Sequence, residues 1–195
     1  MILGKSIDYN SFKAKASKEN LDMIVHKESQ QISYFNNSKD KILDKILSIN
    51  IETNIAVFSS SRCPDAATAT PILVEISKIN PNIHINFYDI EEHKDFLNKC
   101  LSESKIPTFI NMDTNSNSNV ISKYCEFPVA LKKILSDVQF REDADSIITD
   151  FRNGEFNDIL LDELIELILG TEQNNYISFD KTKLPYKSES SSPQD

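Results

Sequence analysis

One of the three cysteines, Cys63, lies among residues whose types suit thiol chemistry. Its segment reads Arg62-Cys63-Pro64-Asp65-Ala66 and follows three consecutive serines. If a helix begins here, the sulfur lies near unpaired backbone N–H groups and the positive end of the helix dipole, which together stabilise an anion. The Arg62 charge acts in the same direction, whereas the Asp65 charge acts against it. We therefore predict a lowered pKa for the Cys63 thiol and partial ionisation at neutral pH.

The residues on both sides of Cys63 predict the elements that position it. Residues 55–58 form a short continuous apolar run, as expected of a central strand that is covered on both faces. Pro64 suits the first position of a helix, because that position has no intrahelical partner for an N–H group. Residues 66–79 continue with apolar residues at helical spacing. Cys63 is thus predicted to lie at a strand-to-helix turn.

The rest of the chain predicts a second strand and helix, a hairpin and further helices. The predicted strands are 83–88, 109–112 and 120–124, and the predicted helices are 91–101, one that starts at Pro128, and 159–169. The polar turn 114–119 makes the last two strands an antiparallel hairpin. Pro107 directly precedes the hairpin, where it removes no donor from the sheet. Before the first strand, recurrent apolar positions predict amphipathic helices broken around Asn36-Asn37-Ser38.

This order of elements resembles the thioredoxin family. Three features match at the spacings typical of that family: Cys63 at the turn, Pro71 inside the following helix, and Ile106-Pro107-Thr108 before the next strand. Within the family, the segment looks like a subgroup with W-C-G-D followed by alanine, cysteine or serine. The resemblance covers roughly residues 10–170. It implies an α/β, thioredoxin-like fold in which a central mixed sheet is flanked by helices, with helical extensions at both ends.

The chain departs from the family at the residues that carry dithiol chemistry. The usual tryptophan is Arg62, the usual glycine is Pro64, and the resolving cysteine is Ala66. The buried acid that thioredoxins hold six positions before the nucleophile is Val57. A dithiol mechanism within this segment is therefore excluded, and the proton relay of the family is missing.

The resemblance also implies a binding groove and a second thiol on the same side of the sheet. Pro107 would be cis and lie beside Cys63, so that Ile106 and Pro107 would line a shallow groove for an extended peptide or a thiol ligand. In a thioredoxin-like sheet, Cys125 at the end of strand 120–124 would share the active-site edge. If the two Cα atoms lie within about 7 Å, Cys125 could serve as a distant resolving thiol.

The patterns divide the chain into four predicted regions. These are a helical extension at 1–50, a thioredoxin-like core at 51–140, C-terminal helices packed on the core at 141–172, and a polar tail at 173–195. An apolar fraction of 39% is enough for a packed core. The tail is predicted to be disordered because it is rich in serine and charged residues.

Composition limits the classes of function. Acidic residues outnumber basic ones by 30 to 21, giving a net charge of −9 without a basic run, so nucleic acid and anionic membranes are not expected partners. Three glycines exclude a glycine-rich phosphate loop. The cysteines show neither zinc nor disulfide spacing and no long apolar segment follows the start, which predicts a cytoplasmic protein with reduced thiols. The three histidines are scattered, so we expect neither a metal site nor a cofactor.

Two functions from different classes fit these observations. The first is a monothiol redox protein, in which Cys63 attacks a disulfide substrate and a low-molecular-weight thiol or Cys125 releases the product. The second is a non-catalytic module that keeps the groove beside Pro107 for protein partners. The pKa of Cys63 distinguishes them, since an ordinary value near 8.5 favours binding and a value below about 7 favours redox chemistry.

Overall fold

The computed structural model of the protein describes residues 3–101, 104–113, 120–171 and 177–187. The helices are α1 (Tyr9–Ala14), α2 (Lys18–Ser38), α3 (Leu43–Leu47), α4 (Pro64–Ile79), α5 (Ile90–Leu101), α6 (Val129–Ser136), α7 (Arg141–Asn153) and α8 (Asn157–Leu169). The strands are β1 (Thr53–Ser59), β2 (Ile83–Asp89), β3 (Thr108–Met112) and β4 (Val120–Cys125). Short 3-10 turns occupy Lys39–Lys41 and Lys181–Lys183.

The described strands form one mixed sheet in the order β2-β1-β3-β4. Strand β1 runs parallel to β2 and antiparallel to β3, and β3 runs antiparallel to β4. Strand β1 is central and almost wholly buried, as its unbroken apolar run predicts. The predicted α/β thioredoxin-like fold, with a mixed sheet flanked by helices, is confirmed. The predicted hairpin is present as β3 and β4, whereas its turn at 114–119 lies outside the described residues.

The N-terminal helices pack against the sheet and α4. Phe12 of α1 stacks on Phe87 of β2, and Ile7 forms an antiparallel bridge with the same strand residue, which covers part of the exposed edge of the sheet. The predicted break around Asn36-Asn37-Ser38 falls slightly later, because α2 continues to Ser38 before the chain turns. Asn80 at the end of α4 is buried and donates to the carbonyls of Ile46 and Ile49, at 2.7 and 2.9 Å.

The C-terminal helices pack on the same face of the sheet as α2 and α4, whereas α5 covers the opposite face. Pro128 precedes α6 as its N-cap residue, close to the predicted start. Helix α8 ends at Gly170 in a left-handed conformation, and its final carbonyls accept hydrogen bonds from the sheet. Asn111 donates to Leu167 and Ile168 at 3.0 and 3.1 Å, so the end of α8 is fixed to β3.

Residues 177–187 correct the prediction that the whole tail is disordered. Phe179 is 7% exposed and belongs to the main hydrophobic core, while its carbonyl accepts a hydrogen bond from Lys105. Along α7, Lys181 pairs with Asp145 at 2.6 Å and Arg141 donates its backbone N–H to Pro185 at 3.0 Å. One buried aromatic residue in a polar segment is enough to anchor it. Residues 172–176 and 188–195 of the tail lie outside the described part of the chain.

Across the residues described, no helix is both long and apolar enough to cross a membrane.

The anchoring role of Phe179 predicts that Phe179→Ala lowers the free energy of unfolding by about 3 kcal/mol, because the change leaves a cavity in the core. Chemical denaturation measures the difference. Tyr186→Ala in the same segment is the matched control, since Tyr186 is 41% exposed, and it should change stability by less than about 1 kcal/mol. Equal denaturation midpoints for Phe179→Ala and the wild-type chain would contradict the anchoring role.

Candidate functional site

Cys63 lies at the turn between β1 and α4, as predicted. Its backbone N–H donates to Ser60 at 3.0 Å, and its carbonyl accepts the N–H of Ala67 at 3.1 Å, the first hydrogen bond of the helix. Cys63 is therefore the N-cap residue of α4, with an extended backbone conformation, and Pro64 follows in the first turn. Both residues are half-buried.

The Ile106–Pro107 segment lies directly beside the sulfur. The Ile106–Pro107 peptide bond is cis, and the Cys63 Sγ donates to the carbonyl oxygen of Ile106 at 3.8 Å. Ile106 is half-buried and Pro107 is buried. The carbonyl of Pro107 accepts the backbone N–H of Glu126 at 2.7 Å. The partly accessible surface here consists of Cys63, Pro64 and Ile106, and Pro107 lies beneath it.

A bidentate ion pair between Asp65 and Arg152 dominates the charges around the thiol. Arg152 of α7 donates from Nε and from Nη2 to the two carboxylate oxygens of Asp65, at 2.7 and 3.1 Å. Asp65 is only 8% exposed. Arg62, in contrast, is exposed and lines a cavity of about 170 Å³ with the serines at the end of β1 and with Lys15 and Asp89. The cation that pairs with Asp65 is therefore Arg152 and not Arg62.

Arg152 was not predicted from the sequence, because 87 residues separate it from Asp65. One signal was available. An acid in the first turn of a helix that is otherwise apolar is expected to be buried, and a buried carboxylate requires a partner. Arg152 is one of three arginines in the chain, but no spacing rule identifies which of them provides the partner.

Burial, and after it the Asp65 carboxylate, raise the pKa of the Cys63 thiol to about 11. The backbone N–H groups of Ala66 and Asp65 and the Arg152 charge act in the opposite direction, but they are the weaker influences. The prediction of a partly ionised thiol is therefore wrong. That prediction considered the effects of the helix dipole and of Arg62 on the thiol pKa. It left out desolvation, which raises the pKa because burial disfavours the thiolate. A protonated thiol also agrees with the S–H donation to Ile106.

Two residues that replace catalytic groups of the family are deeply buried and apolar. Ala66, at the position of the resolving cysteine, is 2% exposed, and Val57 of β1 is fully buried. Pro71 lies inside α4, as the resemblance implies. These side chains supply neither a second thiol nor a proton carrier.

Cys125, the last residue of β4, lies opposite Thr108, the first residue of β3. The strand register pairs Phe58 with Thr108 and Thr108 with Cys125. The Thr108 hydroxyl donates to the Cys125 sulfur at 3.5 Å, and Cys125 is buried. Among the described residues, neither Cys63 nor Cys125 forms a disulfide. The role of Cys125 as a resolving thiol stays a prediction.

The described residues contain no cluster of three or more histidine, cysteine or acidic side chains that could hold a metal ion. His26 and His84 are exposed at separate places, and His93 packs against the rings of Phe58 and Tyr88.

Comparisons with known proteins agree with this architecture. A family model described as thioredoxin matches residues 9–143, more than half of the chain. Among solved structures, the chain is similar to PA1234 from Pseudomonas aeruginosa, a protein of unknown function, with a TM-score of 0.68 and 15% identity. It is equally similar to an HIV epitope scaffold, with a TM-score of 0.68 and 16% identity. Each match covers 86% of this chain and 94% of the other, and at such identities it shows the fold alone. No curated protein matches the sequence.

The position of Asp65 predicts that Asp65→Asn lowers the pKa of Cys63 by about one unit, because the repulsive carboxylate is removed and the Arg152 charge is no longer neutralised. The rate of iodoacetamide alkylation as a function of pH measures this pKa. Asp95→Asn on the exposed face of α5 is the matched control and should leave it unchanged. An unchanged or higher Cys63 pKa in Asp65→Asn would refute the electrostatic role of Asp65.

The raised pKa also predicts a loss of stability at alkaline pH that depends on Cys63. Below about pH 9 the thiol is protonated in both the folded and unfolded chains, so it contributes no pH dependence. Between about pH 9 and 11 the unfolded chain ionises first, so the free energy of unfolding falls as pH rises, by about 3 kcal/mol in total. Denaturation of the wild-type chain and Cys63→Ser across this range isolates the effect. A difference in stability between them that is independent of pH would contradict the raised pKa.

Proposed function

The chain belongs to the thioredoxin family, and we propose that within it this protein is a non-catalytic binding module that takes an extended polypeptide across Arg62–Pro64 and Ile106. The observation that carries this proposal is the bidentate Asp65–Arg152 ion pair beside Cys63. It commits the Arg152 charge to a carboxylate, so little of that charge remains to stabilise a thiolate. From the sequence alone, monothiol redox chemistry is the first candidate and the binding module the second; we propose the binding module first.

Thiol–disulfide exchange requires the thiolate, because the protonated thiol is a poor nucleophile. Cys63 has a raised pKa and donates its S–H to the Ile106 carbonyl, an arrangement available only to the protonated form. At neutral pH very little of the thiol is therefore ionised. Without a second thiol at position 66, a mixed disulfide at Cys63 also has no neighbour in the segment to resolve it.

The features that remain suit recognition of a polypeptide. Cys63, Pro64 and Ile106 form a half-buried, mostly apolar strip, and Arg62 extends from one end as an exposed cation. An extended peptide with an apolar residue over the strip and an acidic residue near Arg62 would match both shape and charge. The S–H donation from Cys63 to the Ile106 carbonyl supports this surface, because it joins Ile106 to the N-cap residue of α4.

Within the family, we place the chain in the subgroup whose segment is W-C-G-D followed by alanine, cysteine or serine. Asp65 and Ala66 fit the last two positions of that pattern, whereas Arg62 and Pro64 do not. A binding role requires no oxidising compartment, so the proposal keeps the cytoplasmic location predicted from the sequence.

Monothiol redox chemistry is the second candidate, and the backbone N–H groups of Asp65 and Ala66 favour it because they lower the thiol pKa. In that mechanism the Cys63 thiolate attacks a disulfide, forms a mixed disulfide and releases one thiolate. A low-molecular-weight thiolate then attacks the substrate sulfur, which frees Cys63 and leaves that thiol disulfide-bonded to the substrate; if Cys125 attacks the Cys63 sulfur instead, the substrate leaves as a thiolate and a Cys63–Cys125 disulfide forms. Protein disulfides would be the substrates.

The two candidates predict opposite results for Cys63→Ser. A linear peptide selected by phage display on the wild-type chain should bind Cys63→Ser with unchanged affinity, because the thiol is not used. Arg62→Glu should weaken the same peptide by about five- to tenfold through charge reversal. Fluorescence anisotropy titration measures both affinities. Lys99→Glu, an equal charge reversal at an exposed site on α5, is the control.

Oxidised glutathione provides the opposing test. If the thiol is inactive, intact-mass analysis at neutral pH should show no more modification of the wild-type chain than of Cys63→Ser. Rapid mixed-disulfide formation at Cys63, together with loss of peptide binding in Cys63→Ser, would establish the redox function and refute the binding module.

A further inference from the structure

Lys105 joins the strip at Ile106 to two segments that are distant in sequence. It directly precedes Ile106 in the chain. Its ammonium donates to a carboxylate oxygen of Glu126 at 2.9 Å and also to the backbone carbonyl of Phe179, which are 21 and 74 residues away. One side chain therefore links the end of β4 and the C-terminal segment, residues 177–187, to the site.

The backbone that bears Ile106 is held on both sides. The Lys105 carbonyl accepts the Thr108 hydroxyl at 2.6 Å, and the Pro107 carbonyl accepts the Glu126 N–H at 2.7 Å. Ile106 lies between these two hydrogen-bonded carbonyls. A change in the position of Lys105 or Glu126 therefore also changes the position of Ile106.

Glu126 has a backbone conformation that favours glycine. Its φ of +66° lies in the left-handed region, where residues with a Cβ atom are disfavoured. Burial raises the pKa of the Glu126 carboxyl, and the hydrogen bond from Lys105 opposes this effect. The ion pair with Lys105 is a contact that glycine could not make, and it offsets both the conformation and the burial of Glu126.

The C-terminal segment is anchored mainly by Phe179. Its ion pairs with α7, Lys181–Asp145 and Lys187–Asp143, join side chains that are at least 38% exposed. Such pairs stabilise little, because water and salt screen them. Phe179 is buried in the main core, so the position of its carbonyl beside Lys105 depends on the packing of this one ring.

We propose that Lys105 is a positioning residue of the polypeptide site and that the docked C-terminal segment, acting through Lys105, sets the affinity of that site. This inference rests on the binding function proposed above. With the segment docked, Lys105 holds Ile106 beside Cys63. With the segment released, Lys105 loses an acceptor and Ile106 gains freedom, so that binding a polypeptide costs more conformational entropy. The control would come from a segment beyond residue 143, where the match to the family model ends.

Affinities of full-length variants for the phage-selected linear peptide test this coupling. Lys105→Met should weaken binding by about five- to tenfold, and Lys105→Arg should bind within about twofold of wild type, because a guanidinium can donate to both acceptors. Phe179→Ala should weaken binding by a factor similar to that of Lys105→Met, although Phe179 is not part of the strip. Lys183→Met is the matched control, since the Lys183 side chain in the same segment is 82% exposed, and it should bind as wild type does.

Alkylation of Cys63 provides a readout that a loss of stability alone would not change. The Ile106 carbonyl accepts the Cys63 S–H, and a hydrogen bond to the protonated form raises a thiol pKa. If Ile106 moves away, the pKa of Cys63 falls. At about pH 9, iodoacetamide should therefore modify Cys63 severalfold faster in Lys105→Met than in wild type or Lys183→Met, as measured by peptide mapping at a temperature where all three are folded.

The double variant Lys105→Met/Glu126→Gln removes both charges, so it serves if Lys105→Met alone fails to fold, and it should bind as weakly. The inference is overturned if the wild-type chain binds the peptide and either variant binds equally well, if Lys105→Arg does not restore affinity, or if Cys63 alkylation is unchanged. Wild-type affinity in Phe179→Ala would also overturn it. In those cases the binding function stands. If the wild-type chain binds no linear peptide, the binding function fails and this inference fails with it.

Discussion

The ion pair between Asp65 and Arg152 joins the two parts of the chain that form the site. Asp65 lies in the first turn of α4, two residues after the N-cap cysteine, and Arg152 lies in the last turn of α7. Two hydrogen bonds fix the pair in one geometry, and Asp65 is buried, so loss of either partner would leave a buried charge uncompensated. The C-terminal helices therefore do more than cover the sheet, because α7 supplies the cation that pairs with Asp65 beside the thiol.

The same end of α7 connects to the N-terminal extension. Lys27 of α2 donates to the backbone carbonyl of Arg152, and burial and the nearby Arg152 charge lower the pKa of Lys27. Helices α2, α4 and α7 thus meet at Arg152. Its guanidinium pairs with the Asp65 carboxylate of α4, and its backbone carbonyl accepts a hydrogen bond from the Lys27 ammonium of α2. Helix α2, which precedes the core, and helix α7, which follows it, are therefore both connected to Asp65, two residues from Cys63.

The sequence allowed the strands, helices and strand-to-helix turn to be predicted, because each depends on local periodicity and on prolines with fixed backbone preferences. Contacts between distant residues could not be predicted in this way. The pairing of Asp65 with Arg152 and the burial of Phe179 arise from tertiary packing, and no local pattern encodes either. The pKa of Cys63 was mispredicted for the same reason, since desolvation depends on what packs around the sulfur.

Side chains and backbone contribute differently to this site. The geometry that could hold a polypeptide is made by backbone features, namely the N-cap turn at Cys63 and the cis peptide bond before Pro107. Such features tolerate many changes of side chain. Dithiol chemistry, in contrast, requires specific side chains at positions 57 and 66, where this chain has valine and alanine. The proposed binding function needs only the backbone features, whereas dithiol chemistry needs side chains that differ here, and this asymmetry is the physical reason for the proposal.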